Sequence, residues 1–267
     1  KAKPNWDVYK MEYPTILELA KFSKIISVIL NINYILHIKK NLKYPMIKSK
    51  PLIKICGITS TDQALQIAEL GVDAIGIISV KESPRYVSAL KKKEIFSNLE
   101  KFFPNIKRVS VIKNLKIKDT LKDLIDYENV MQLHGDEDLE YCKKIKSVFP
   151  QIELWKAFRI KTHQDFERIK TFINFIDAAL LDSWNEEIYG GSGIRIRSEL
   201  LKKVSINKQW WLAGGISCEW IQEIIKEIKP DGLDISSSIE KSPGIKDIEK
   251  TTKLLKEIKN WSNKLLN

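Results

Sequence analysis

Four side chains in this 267-residue sequence stand where a reagent could be held: Cys56 in KICG, Asp182 in AALLDS, Arg85 in SPR and His134 in QLHG. Each closes or follows a short apolar run. A cysteine at such a strand end faces the place where substrates are bound, and a thiolate of depressed pKa could abstract a proton near neutral pH. Asp182 ends the apolar stretch AALL; a carboxyl withdrawn from water has its pKa raised, which suits a general acid. Its other reading is a carboxylate capping the next loop. Arg85 lies in a loop, where its guanidinium could grip a carboxylate bidentately. His134 fits either a ligand contact or a hydrogen-bonded histidine at a strand end.

Two further strand ends are built for an anion. Ala213-Gly214-Gly215 and Asp234-Ile235-Ser236-Ser237-Ser238 would let the backbone approach a ligand closely, and their N–H groups would cradle a phosphate. Gly191, within Tyr189-Gly190-Gly191-Ser192-Gly193, reads either as a flexible connector or as part of a loop that folds over the substrate. Cys142 and Cys218 read as helix positions filled by a small apolar residue. With no HxH, HExxH or carboxylate–histidine cluster, no metal is implied.

Side chains scattered over 180 positions meet only if a repeated element carries them. From Pro51 onward eight apolar runs recur: LIKICGI, VDAIGII, KRVSVIK, VMQLHG, IELWKAF, AALLDS, WWLAGG and GLDISSS. Between them lie stretches of helical spacing. TDQALQIAELG carries an apolar stripe of Ala64, Leu65, Ala68 and Leu70 and a stop at Gly71, while DEDLEYCKKIKSVFP and CEWIQEIIKEIKP are closed by prolines. Eight strand–helix units predict a parallel sheet closed as a (β/α)₈ barrel, with a doubly wound open sheet as the rival. In a barrel chemistry gathers at the C-terminal ends of many different strands, which is the pattern here.

Residues 1–50 stand outside this pattern; their stretch ILELAKFSKIISVILNINYILHI is apolar enough for one or two helices, although Lys21 and Lys24 interrupt it. The division is therefore an N-terminal extension, 1–50, and a catalytic barrel, 51–267. The formal charge of +11 is concentrated in the extension, whose ten Lys face Asp7, Glu12 and Glu18; the barrel is nearly balanced. Only six of the 45 basic residues are Arg and no arginine-and-aromatic motif appears, so nucleic acid is not an expected partner. Three single cysteines point to a reducing, cytoplasmic compartment. No uninterrupted apolar run of about 20 residues argues for stable membrane insertion.

In this order, KICGIT, SPRYVS, QLHGDE, LLD followed by YGGSG, LAGGI and DISSSIEKSPGIKD resemble the phosphoribosylanthranilate isomerase family of tryptophan biosynthesis, from about Leu52 to the C-terminus. The resemblance implies a (β/α)₈ barrel that performs an Amadori rearrangement of a phosphosugar, an aminoaldose becoming an aminoketose, with no cofactor. It implies Cys56 as general base, Asp182 as general acid and Arg85 as the contact to the anthranilate carboxylate. Substrate contacts are expected from His134, Gly191, Gly214, Gly215, Asp234, Ser236 and Ser237. Ser238 departs from the family, many members of which have glycine there, and a side chain at that position would narrow the phosphate cradle.

Indoleglycerol-phosphate synthase would show lysines and a glutamate at strand ends, and a histidine-pathway isomerase an aspartate where Cys56 stands. A non-catalytic phosphosugar- or RNA-binding barrel would leave Cys56 inert. Monomer and homodimer both fit the sequence.

Overall fold

The computed structural model describes residues 50–119, 127–183 and 195–264. All belong to one unit of the chain, Lys48–Asn267. The extension, residue 50 apart, lies outside the described residues.

All eight apolar runs are strands. β1 Leu52–Cys56, β2 Ala74–Ile78, β3 Lys107–Ile112, β4 Val130–Leu133, β5 Glu153–Ile160, β6 Ala178–Ser183, β7 Gln209–Ala213 and β8 Gly232–Ile235 pair in that order, and β8 returns to β1. Every pairing in this closed barrel is parallel. The open-sheet rival is excluded.

Alternation along each strand divides the apolar side chains into two layers. Val109, Val111, Val130, Trp155, Leu180 and Trp211 fill the barrel interior, where the Trp155 and Trp211 rings lie 4.6 Å apart. Ile53, Ile55, Ile75, Ile77, Leu154, Leu181 and Leu212 face outward into the larger core beneath the helices. Strands buried on both faces explain why the runs read as nearly continuous apolar sequence.

The helices that fill the return paths, among the described residues, are α1 Thr61–Glu69, α2 Ala89–Phe102, α3 Leu139–Val148, α4 Gln164–Phe172, α5 Ser198–Leu201, α6 Cys218–Glu223 and α7 Ile248–Lys264. In α1 the Ser60 side chain accepts from the Gln63 N–H, closing the N-terminus. Its buried stripe is Ala64, Ile67 and Ala68; the expected Leu65 and Leu70 are only half-buried. The predicted helix in CEWIQEIIKEIKP also departs from simple α geometry. After Glu223 it widens into a π turn, Ile224–Ile228, closed by the Lys229 N–H on the Ile224 carbonyl, with Ile224, Ile225 and Ile228 all buried.

Beyond β8 the chain makes a 3₁₀ turn, Ser237–Ile239, then a small antiparallel hairpin of β9 Glu240–Ser242 and β10 Ile245–Lys246. That hairpin returns Glu240 and Lys246 to the barrel mouth before α7 begins. No described helix is long and apolar enough to cross a membrane.

Candidate active site

The C-terminal ends of the strands surround a cavity of 510 Å³. Cys56, Arg85, His134, Asp182, Gly214, Gly215, Asp234, Ser236 and Ser237 all line it. Of the residues expected from sequence, only Gly191 lies outside the described residues.

The reason a glycine follows the cysteine is steric. Gly57 has φ +80°, and the Arg85 side chain crosses its bare face: a Cβ there would stand 2.6 Å from Arg85 Cδ. Strand β1 thus ends in Cys56 and turns at once, leaving the thiol at the cavity wall. The Ser236 hydroxyl donates to the Cys56 carbonyl at 3.1 Å, tying the ends of β8 and β1 together.

Cys56 departs from the depressed pKa anticipated for a strand-end thiol. Burial pushes it up, since only 5% of the residue is exposed, and this outweighs the lowering effect of the neighbouring Lys54 ammonium. Cys142 is simple filler, with burial pushing its thiol up to about 12.

Asp182 is 4% exposed and hydrogen-bonded at both oxygens. Oδ1 accepts from the Ser183 N–H at 2.8 Å, and Oδ2 lies 3.2 Å from His134 Nε2. Gln132 Nε2 contacts His134 Nδ1 at 2.8 Å. As placed, the amide donates to Nδ1, which puts the imidazole proton on Nε2 and directs it at Asp182. The role of His134 visible here is therefore to hold the Asp182 carboxyl.

The acidic end of QLHGDE fixes that histidine loop. Glu137 accepts from the Asn114 N–H at 2.7 Å, the Gly135 N–H at 3.0 Å and the buried Lys156 ammonium at 3.1 Å. One carboxylate thus fastens the loops after β3 and β4 to β5.

Arg85 is already engaged. Its Nε and Nη2 meet both oxygens of buried Glu240 at 2.9, 3.2 and 2.7 Å, and Lys246 Nζ meets Glu240 Oε1 at 2.7 Å. Burial would raise the Glu240 carboxyl, but the hydrogen bonds from Arg85 and Lys246 outweigh it and hold the group below its ordinary range. The guanidinium retains a second edge, Nη1 and the outer Nη2 hydrogen, for another carboxylate.

Asp234 is not free to act as an isolated carboxylate, because its Oδ1 is 2.8 Å from the ammonium of Lys54. Gly214 and Gly215 have φ +84° and +61°. Arg195, unnoticed in sequence, braces this turn by donating to the Gly215 carbonyl at 3.1 Å and to the Ser217 hydroxyl at 2.7 Å. Ser238 lies in the 3₁₀ turn, exposed and without a positive φ, so its backbone is unstrained and its side chain stands at the cavity wall.

A family model described as N-(5'phosphoribosyl)anthranilate (PRA) isomerase matches residues 53–257. The N-(5'-phosphoribosyl)anthranilate isomerase of Sulfurihydrogenibium sp. is 40% identical over 210 residues, 78% of this chain and 99% of the relative. That of Synechococcus elongatus is 38% identical over 206 residues, 77% of this chain and 95% of the relative. Among solved structures, phosphoribosyl anthranilate isomerase from Thermotoga maritima superposes with a TM-score of 0.70 at 31% identity, covering 79% of this chain and 99% of the other. Motifs, closed barrel and matched span thus agree, and the chain belongs to the phosphoribosylanthranilate isomerase family.

Proposed function

We propose that this barrel converts N-(5'-phosphoribosyl)anthranilate to 1-(2-carboxyphenylamino)-1-deoxyribulose 5-phosphate, with Asp182 as general acid and Cys56 as general base. A similar solved structure, 29% identical, is described as a complex with the reduced form of 1-(O-carboxyphenylamino)-1-deoxyribulose 5-phosphate. The observation that carries the reading for this chain is the meeting of Cys56 and Asp182, from β1 and β6, in one cavity beside two phosphate-sized loops.

The chemistry needs two proton transfers at separate atoms. Asp182 protonates the furanose ring oxygen, the C1′–O bond breaks, and the nitrogen lone pair forms a Schiff base. The Cys56 thiolate then removes the C2′ proton, the C–H pair becomes the C1′–C2′ double bond, and the C=N π pair moves to nitrogen to leave an enolamine. Tautomerisation of the enol gives the ketone. Nothing is oxidised or reduced overall.

Burial raises the thiol above its ordinary range, so a thiolate there depends on the charges around it. In this reading Arg85 receives the anthranilate carboxylate and the N–H groups after β7 and β8 receive the phosphate; their common lining of the cavity supports it.

Turnover, followed as loss of substrate fluorescence, tests the assignment. Cys56→Ala and Asp182→Asn are each expected to lower kcat by about 10²–10⁴ with little change in substrate affinity. Cys56→Ser should be nearly as damaging, because an unactivated hydroxyl is a poor base. A Cys56→Ala enzyme that keeps most of its kcat would remove the thiol from the mechanism.

A further inference from the structure

Two residues before Cys56, on the same inward face of β1, Lys54 is wholly buried inside the barrel. An ammonium there carries a desolvation cost that an apolar side chain of similar size would avoid. One partner is Asp234 Oδ1 at 2.8 Å, across the β1–β8 seam. The other neighbour is the Cys56 thiol, which flanks the same bare face of Gly76 as the ammonium.

The third wall of this arrangement is Gly76 of β2, paired in register with Cys56. A Cβ at Gly76 would stand 2.8 Å from Cys56 Sγ and 3.2 Å from Lys54 Nζ, so the missing side chain is what lets thiol and ammonium share that space. Thiol, ammonium and carboxylate form a contiguous cluster at the cavity wall.

We propose that Lys54 is the positioning residue that makes Cys56 a base, its ammonium stabilising the thiolate inside the barrel, with Asp234 setting how much of that charge the sulfur receives. The catalytic consequence rests on the reading of Cys56 as general base; the electrostatic coupling does not. A proton lost from Sγ leaves by the open cavity, and the ammonium remains as counter-ion.

The charged groups around the sulfur make the signs definite. Lys54 on β1 favours the thiolate, Asp234 on β8 disfavours it, and Lys246 on β10 favours it to a smaller degree. Arg85, from the loop after β2, also faces it, but Arg85 and Lys246 are both held by the Glu240 carboxylate. Removing the Lys54 charge should therefore raise the pH at which Cys56 ionises, and removing the Asp234 charge should lower it. A pair that served only packing would produce no such opposite movements.

The test is the pH dependence of Cys56 alkylation by iodoacetamide, in which the sulfur–carbon bond forms as iodide leaves, read on the Cys56 peptide by mass spectrometry. In Lys54→Gln, which still donates a hydrogen bond to Asp234, the profile should move to higher pH, slowing alkylation about tenfold at a fixed pH below the thiol pKa. In Asp234→Asn it should move to lower pH. The acidic limb of kcat/KM should follow each shift.

Unmoved alkylation profiles, or movements in the same direction, overturn the proposal; if only one variant folds, the sign of its shift decides. Should the alkylation profiles move as stated while kcat/KM does not, the coupling stands and the general-base role of Cys56 falls.

Discussion

A buried guanidinium that already holds one carboxylate is a better receptor for a second than a free one would be. Glu240 occupies the Nε–Nη2 edge of Arg85 and fixes the plane of a group that lines the cavity. Lysine cannot serve two carboxylates in this way, since its ammonium has no planar fork. Arg85→Lys is therefore expected to weaken substrate binding about tenfold or more, the equivalent of at least about 1.4 kcal/mol, measured as KM or by competition with a product analogue. Unchanged kinetic constants would take Arg85 out of the site. The arginine itself stood out in SPRYVS, but its partner did not: Glu240 is separated from it by 155 positions and reads in sequence as an ordinary acidic residue before a loop.

At the scale of elements, we propose that the seventh and eighth strand ends bind the anion through backbone geometry. Gly214 and Gly215 occupy left-handed conformations that Arg195 braces from the side, while the 3₁₀ turn after β8 presents Ser236–Ser238 to the same cavity. Gly215→Asp would put a strained backbone and a like charge against a phosphate dianion. We expect KM to rise at least about tenfold, and inorganic phosphate to compete with substrate in the parent enzyme. A parent enzyme indifferent to phosphate would place the phosphate elsewhere. Strand runs were legible because burial on both faces leaves no polar gaps in them. The π turn after α6 and the hairpin of β9 and β10 were not, because neither has a periodicity distinct from its surroundings.

On the scale of the molecule, the family match spans residues 53–257 and the first strand begins at Leu52, so the whole barrel lies beyond the extension. A chain starting at Met46 should accordingly keep the kcat and KM of the full protein, and comparing thermal melts of the two will show whether the apolar extension adds stability. A truncated protein that folds but does not turn over would mean that residues 1–45 shape the active site.

From the order of its apolar runs and turn residues alone, the chain determined a closed eight-unit barrel and the residue types at its mouth. Parallel strand–helix repetition has few other compact solutions, and reagents at successive strand ends face one cavity in only one of them. Tertiary structure alone decided what those reagents are paired with. Lys54 reads as one charge in an apolar run, yet closure of β8 onto β1 places it between Cys56 and Asp234. His134 reads either as a ligand contact or as a hydrogen-bonded strand-end histidine, and only the fold shows the partner, the Asp182 carboxyl 48 positions away. Ion pairing and desolvation depend on distance through the fold rather than along the chain, which is why Cys56 stood out as a candidate base but the direction of its pKa, raised by burial, did not.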